Sequence, residues 1–225
     1  MIVKTFDQIA LENNADKSSL CHDYMTKYER HFSKFIDKDI NILEIGVASG
    51  ASLRTWRDIF PKANIYGIDI NPSCIQQDSE RIKIYIGSQF EKRFLDSVMK
   101  EIGSVSIIID DGSHNTEHEI FTFEVLFPQL SKGGVYAIED LHTSYRDMDL
   151  PRSLYKNNVI DYFKNKVCDL DFNGYVEGYG NKQIDYDFVK NRIKDFSPSY
   201  YEEYIDGISF YKSVIFVDKS NGLKK

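Results

Sequence analysis

The stretch NILEIGVASG, residues 41–50, decides the fold. Asn41 to Ile45 is a short apolar run of strand type, and Gly46 to Gly50 is a turn of small residues leading straight into an amphipathic stretch. A strand, a glycine-bearing turn and a helix in succession open a βαβ unit, whose turn lets a ligand come close to the backbone. A second strand ends about twenty residues on, in Gly67-Ile68-Asp69-Ile70. A carboxylate at that point can accept both hydroxyl hydrogens of a ribose.

The same alternation runs on to residue 140. Further strands are predicted at Asn64 to Ile68, Ile82 to Ile86, Val105 to Ile109 and Val135 to Ile138. Helices are predicted at Ser52 to Phe60, Pro72 to Ser79, Phe90 to Glu101 and Thr116 to Leu130. This is the pattern of an α/β fold, Rossmann-like, with a doubly wound and mostly parallel sheet. Ile120, Phe123 and Phe127 recur at helical spacing and belong to the core, as do Leu53 and Trp56, while Lys132-Gly133-Gly134 ends the helix before the fifth strand. Near the carboxyl terminus, Ile208 to Tyr211 and Val214 to Val217 form a closing antiparallel hairpin within residues 207–218.

Two segments lie outside the alternation. Residues 1–40 read as helical, with His22, Tyr24 and Tyr28 on one face. Residues 141–206, rich in Tyr, Asp, Asn and Lys, read as an insertion that covers the active face or serves a subunit interface in a homo-oligomer. The 225 residues, 42% of them hydrophobic, suit one domain with one core. A net charge of -7 argues against a nucleic-acid partner, since affinity for a phosphate backbone comes from clustered Lys and Arg. No apolar run is long enough to cross a bilayer. Cys21, Cys74 and Cys168 have neither disulfide-framework nor zinc spacing, so a reducing cytoplasm is the expected setting.

Charge placement narrows the chemistry. Ala48 stands where a dinucleotide fingerprint has its middle glycine, which disfavours a pyrophosphate. Glu44, just before the turn, would also repel phosphates but suits a cationic ligand. Asp110 and Asp111 end the fourth strand, and Glu139 and Asp140 the fifth. Adjacent strands lie about 4.8 Å apart, so these acids converge where the cofactor binds. Carboxylates crowded in this way need a cation, and oxygen ligation favours magnesium or manganese. His114 follows Asp111 by three residues, and an imidazole with an ordinary pKa of about 6.5 suits proton removal near neutrality. His118 reads as solvent-facing or one step removed from the site. His142 either contacts substrate or caps the next helix, and Tyr145 and Arg146 are candidate substrate contacts.

The runs NILEIGVASGASLRTW and IYGIDINP resemble motifs I and II of class I S-adenosylmethionine-dependent methyltransferases. Residues 107–145, IIIDDGSHNTEHEIFTFEVLFPQLSKGGVYAIEDLHTSY, and residues 16–29, DKSSLCHDYMTKYE, resemble the metal-dependent sugar O-methyltransferases of the mycinamicin and macrocin type. The resemblance implies that Gly46 and its neighbours line the methionine part of the donor, Asp69 binds its ribose, and Ser88 and Gln89 lie near its adenine. Glu44, Ser52 and Asp110 fall on the same cofactor side, Asp110 as a structural group or one that orients the site. Residues 1–40 become a lid, with Lys17 on the donor carboxylate. The implied metal ligands are Asp111, Glu139 and Asp140, with His114 as general base. The implied acceptor is a sugar hydroxyl, on a nucleotide-activated sugar for a surface polysaccharide or on a glycosylated natural product. The competing readings are an NAD(P)-dependent oxidoreductase, to which Asp69 is equally suited, and a noncatalytic binding module.

Overall fold

The computed structural model describes residues 4–77, 79–145, 158–167, 170 and 200–221. Strands β1 (Asn41–Ile45), β2 (Asn64–Asp69), β3 (Ile82–Ile86), β4 (Val105–Asp110), β5 (Leu130–Ile138), β6 (Ile205–Tyr211) and β7 (Val214–Lys219) form one sheet in the order β3-β2-β1-β4-β5-β7-β6. The first five are parallel, while β7 runs antiparallel to both β5 and β6, so the expected hairpin closes one edge.

Alternation along each strand explains why helices cover both faces. Ile42, Ile107, Ile109, Val135 and Ala137 join a core with helices α1 (Phe6–Glu12), α2 (Met25–Phe32) and α3 (Ala51–Ile59). Leu43, Ile45, Ile108, Tyr136 and Ile138 point the other way, into a core with α4 (Lys92–Ile102) and α5 (Thr116–Leu126). On α4, Leu95, Val98, Met99 and Ile102 are the buried positions, the i, i+3, i+4, i+7 stripe of a helix lying on a sheet. Phe123 and Phe127 are buried and Ile120 packs against them, as expected for a core stripe.

Register carries the fold to the site. Ile45 pairs with Ile68 and with Asp110, and Asp110 pairs with Ile138. The ladder then continues one step past the strands: Gly46 N–H donates to Ile68 O at 2.8 Å, Asp111 N–H to Ile45 O at 2.9 Å, and Glu139 N–H to Asp110 O at 3.0 Å. Gly46, Asp111 and Glu139 are thereby fixed along one sheet edge.

Three expectations are corrected. The helix predicted at Thr116 to Leu130 ends at Leu126 because Pro128 has no N–H to donate back along the helix; a 3-10 turn, Phe127–Gln129, follows and β5 begins at Leu130. The segment Pro72–Gln77 is 3-10 and not α-helical. Residues 13–24 do not continue the helices around them, since Asn14 (φ 56°) and Asp23 (φ 55°) adopt left-handed backbone that reverses the chain. Lys17 and His22 therefore sit on a loop. Among the described residues, no helix is long and apolar enough to cross a membrane.

Candidate active site

A cavity of about 170 Å³ opens at the ends of β1, β2 and β3, lined by Gly46, Asp69, Ser88, Gln89, Gly112 and His118 among others. Gly46 has φ 92°, and a Cβ there would stand 2.7 Å from the Asp111 carbonyl carbon, so only glycine lets the two strand ends meet. Asp69 shapes the loop beside it: Oδ2 accepts from Val47 N–H (2.9 Å) and Ala48 N–H (3.2 Å), and Oδ1 from Asn71 N–H (2.8 Å). Burial works to raise this carboxyl, but the three backbone donors outweigh it and hold it below the usual carboxylate range. A carboxylate has about four acceptor sites, which leaves capacity for a hydroxyl.

Gln89 is clamped from behind. Its Nε2 donates to Asp110 Oδ1 at 3.1 Å and to Thr122 Oγ1 at 3.1 Å, while its Oε1 accepts from Ser113 N–H at 2.7 Å. Asp110 is buried, and desolvation pushes its carboxyl up to about 7. It therefore orients Gln89 from beneath and does not line the cavity. His118, expected to face solvent or to stand one step from the site, lines the cavity, stacks on Phe90 at 4.4 Å and bonds Ser113 Oγ through Nδ1.

The acids gather as the strand ends predict, with a partner that the sequence reading put elsewhere. Lys17 is 1% exposed, and its ammonium lies 2.5 Å from Asp111 Oδ2, 2.9 Å from Glu139 Oε1 and 3.3 Å from Glu44 Oε1. Lys17 and Glu44 are thus corrected from donor contacts to an ion network beneath the loop, and Ser52 is buried beside them. Trp56, placed by its spacing in the core, also donates Nε1–H to Glu44 Oε2 at 2.8 Å. Burial raises the Glu44 carboxyl to about 7, against the lowering effect of Lys17. It raises Glu139 well above the ordinary range, with Asp111 adding to the effect. Helix α2 reaches the same acids, Tyr28 donating its hydroxyl to Glu139 and Tyr24 donating to Asp140 Oδ1 at 2.8 Å.

Side-chain ligand atoms fall into two groups that share Asp111, each spanning no more than 4.8 Å: a buried one with Glu44 and Glu139, and an outer one with His114 and Asp140. His114 Nε2 stands 3.8 Å from both Asp111 Oδ1 and Asp140 Oδ2. The expected ligand trio of Asp111, Glu139 and Asp140 is divided between the groups, because Glu139 turns Oε1 toward Lys17 and Tyr28.

A second cleft, of about 440 Å³, comes near the outer group through two of its lining residues, Tyr24 and His142, which stand 2.8 Å and 4.0 Å from Asp140 Oδ1. Its walls include His22, Tyr24, His142, Tyr145 and Tyr211. His142 Nδ1 bonds Ser213 Oγ at 2.7 Å and lies 4.0 Å from Asp140 Oδ1, so it belongs to the cleft wall. Arg146 lies outside the described residues. The sequence put Tyr24 and Tyr28 on one helical face, for packing or as part of a lid; their spacing of four matches a helix reaching two successive acids, which is the signal that could have revealed their role.

Residues 43–141 match a family described as a methyltransferase domain. Demethylmacrocin O-methyltransferase of Streptomyces fradiae is 30% identical over 88% of this chain and 49% of its own length. Mycinamicin VI 2''-O-methyltransferase of Micromonospora griseorubida is 38% identical over 57% of this chain and 34% of its own. A solved methyltransferase of the mycinamycin biosynthetic pathway, in complex with Mg and SAH, superposes with a TM-score of 0.83 at 28% identity, covering 96% of this chain and 55% of the other. The chain spans about half, or less, of the length of the curated relatives it matches.

Proposed function

We propose that this chain, a class I methyltransferase by its matched domain and its fold, moves the methyl group of S-adenosylmethionine to a sugar hydroxyl of a glycosylated small molecule. One observation carries the reading: Asp111, His114 and Asp140 form a compact group whose chain neighbours line two cavities, Gly112 and Ser113 the first and Leu141 and His142 the aromatic-walled cleft. Relatives named as sugar O-methyltransferases support the acceptor class.

The donor set fits a hard divalent ion. Glu44, Asp111 and Glu139 crowd around the Lys17 ammonium, and Asp140 joins Asp111 in the outer group, so the carboxylates outnumber that ammonium and oxygen ligation of magnesium would absorb the surplus. Asp111 and Asp140 would hold the ion, with Glu139 as third ligand through the oxygen not given to Lys17 and Tyr28. When bound, it lowers the pKa of an acceptor hydroxyl. S-adenosylmethionine supplies a reactive methyl, so the protein's part is alignment.

The chain's own groups do the rest. His114 takes the hydroxyl proton at Nε2, which stands 3.8 Å from both Asp111 Oδ1 and Asp140 Oδ2. Asp69 and Gln89 hold the donor through its hydroxyls and base edge, while Gly46 lets it lie close to the backbone. His142 and Tyr145 form part of the surface against which the acceptor packs.

The test is incubation with S-adenosylmethionine against two panels, glycosylated natural products and nucleotide-activated sugars, with and without a chelator. The expected result is a product heavier by one methylene, from the first panel, lost on chelation. Transfer only to nucleotide-activated sugars would move the acceptor to that class, and donor binding without transfer to either panel would sink the reading.

A further inference from the structure

The buried half of the acid cluster already contains a cation. We propose that Lys17 is the resident counterion and positioning residue of this site: its ammonium fills the group formed by Glu44, Asp111 and Glu139, and so restricts a divalent ion to the outer side of Asp111, where Asp140 and the free oxygen of Glu139 remain. The assignment rests on the reading above only in treating Asp111 as an ion ligand.

Three observations converge on it. Lys17 Nζ lies within 3.3 Å of an oxygen from each of the three carboxylates, and the ammonium and Glu44 are both essentially without solvent contact. Glu44 Oε1 is buried with no hydrogen-bond donor and faces that ammonium, so removing Lys17 would leave it uncompensated. Asp111 divides its oxygens: Oδ2 is on Lys17 at 2.5 Å, and Oδ1 faces His114 Nε2 at 3.8 Å. Lys17 thereby turns one edge of Asp111 inward and the other toward the outer group. Glu139 likewise gives Oε1 to both Lys17 and Tyr28.

The placement needs the loop that carries it. Tyr24 N–H donates to Lys17 O at 2.9 Å, and His22 N–H donates to Asp16 O at 2.9 Å, closing the turn that directs the side chain under the sheet edge. This segment lies before residue 43, where the matched methyltransferase domain begins. The site is therefore completed by a side chain from before the matched stretch.

Melting temperature in the full chain tests the proposal, with chelator or with millimolar magnesium, for wild type, Lys17→Met, and Lys17→Met combined with Glu44→Gln. Loss of a buried ion-pair partner should lower the Tm of Lys17→Met by about 10 °C in chelator. Adding Glu44→Gln should recover at least half of that, because it removes one of the charges left unbalanced; a purely packing role for Lys17 would not be rescued in this way. Magnesium should raise the Tm of Lys17→Met more than that of wild type, since the vacated group can take an ion. If Lys17→Met cannot be obtained folded while the double variant can, the proposal is supported. It is overturned if Lys17→Met melts within 2 °C of wild type, if the double variant melts no higher than the single one or does not fold, or if magnesium favours wild type equally. A wild type indifferent to magnesium, with the chelator results as expected, would remove the outer ion and leave Lys17 as the resident cation.

Discussion

Tyr24 donates its hydroxyl to Asp140 Oδ1 at 2.8 Å, joining the start of α2 to the end of β5 across 116 positions of sequence. Burial raises the phenol above its ordinary pKa, and Asp140 adds to that, so Tyr24 remains a donor throughout the working pH range. The bond fixes which oxygen of Asp140 is left for the outer group, Oδ2 being the one that faces His114. Tyr24→Phe removes this donor together with the longer contact of the same hydroxyl to Ser213 O at 3.5 Å. A lost hydrogen bond to a carboxylate costs about 1.5–3 kcal/mol, and Tm should fall by about 3–10 °C. Magnesium affinity, read by calorimetry, should weaken several-fold. Unchanged ion affinity would show that Asp140 does not need its tyrosine for orientation.

His114 occupies left-handed backbone at φ 52°, which places its ring over the two carboxylates. An alanine there would confuse loss of the ring with backbone strain. Asparagine tolerates this region, so His114→Asn is the cleaner variant. Removing a general base costs about 10²–10⁴ in rate. Turnover should fall by that factor while donor affinity stays within about twofold of wild type. Retained turnover would assign the proton to another group.

What the sequence disclosed follows from how local each signal is. Strands β1 and β3 begin and end where their apolar runs do, and the tandem acids were placed on one edge because parallel register aligns consecutive strand ends. The Gly46 turn and Asp69 are likewise motifs of a few residues. Lys17 and Asp111 are 94 positions apart, and a lysine on a polar loop has no periodicity to announce burial. The loop itself was hidden by helix-like composition; only Asn14 and Asp23, which accept left-handed backbone, hint at the breaks. Trp56 shows the limit of a packing argument, since its spacing placed the ring in the core but not the indole N–H on Glu44.

Gly46 and Gly103 separate close approach from backbone strain. Both have positive φ, 92° and 80°, but a Cβ at Gly103 would meet nothing within 4 Å, whereas one at Gly46 would collide with the Asp111 backbone. Gly103→Ala should cost about 1–3 kcal/mol, the backbone strain alone, since φ 80° with ψ −131° is a conformation that side chains disfavour. Gly46→Ala adds overpacking and should cost about 2–5 kcal/mol in urea denaturation, with loss of donor binding as Asp111 is pushed off the β1 loop. Equal costs at the two positions would show that the strand ends can separate freely.

Asp110 gives the protein a pH dependence with a definite sign. Burial raises its folded carboxyl to about 7 from an ordinary value of 3.8, so the folded chain keeps a proton that the unfolded chain has released. Stability from this group is therefore fully present below pH 3.8 and is lost as pH rises toward 7, by up to about 4 kcal/mol. Glu44, raised to about 7 from 4.5, contributes in the same direction. Asp110→Asn has no proton to lose and still offers an oxygen to Gln89 Nε2. In chelator, urea midpoints of the wild type should fall between pH 5 and pH 8. The variant should show a shallower slope and be the more stable protein at pH 8. Parallel slopes would mean that Asp110 is ionised across the whole range and that its charge is balanced by something other than Gln89.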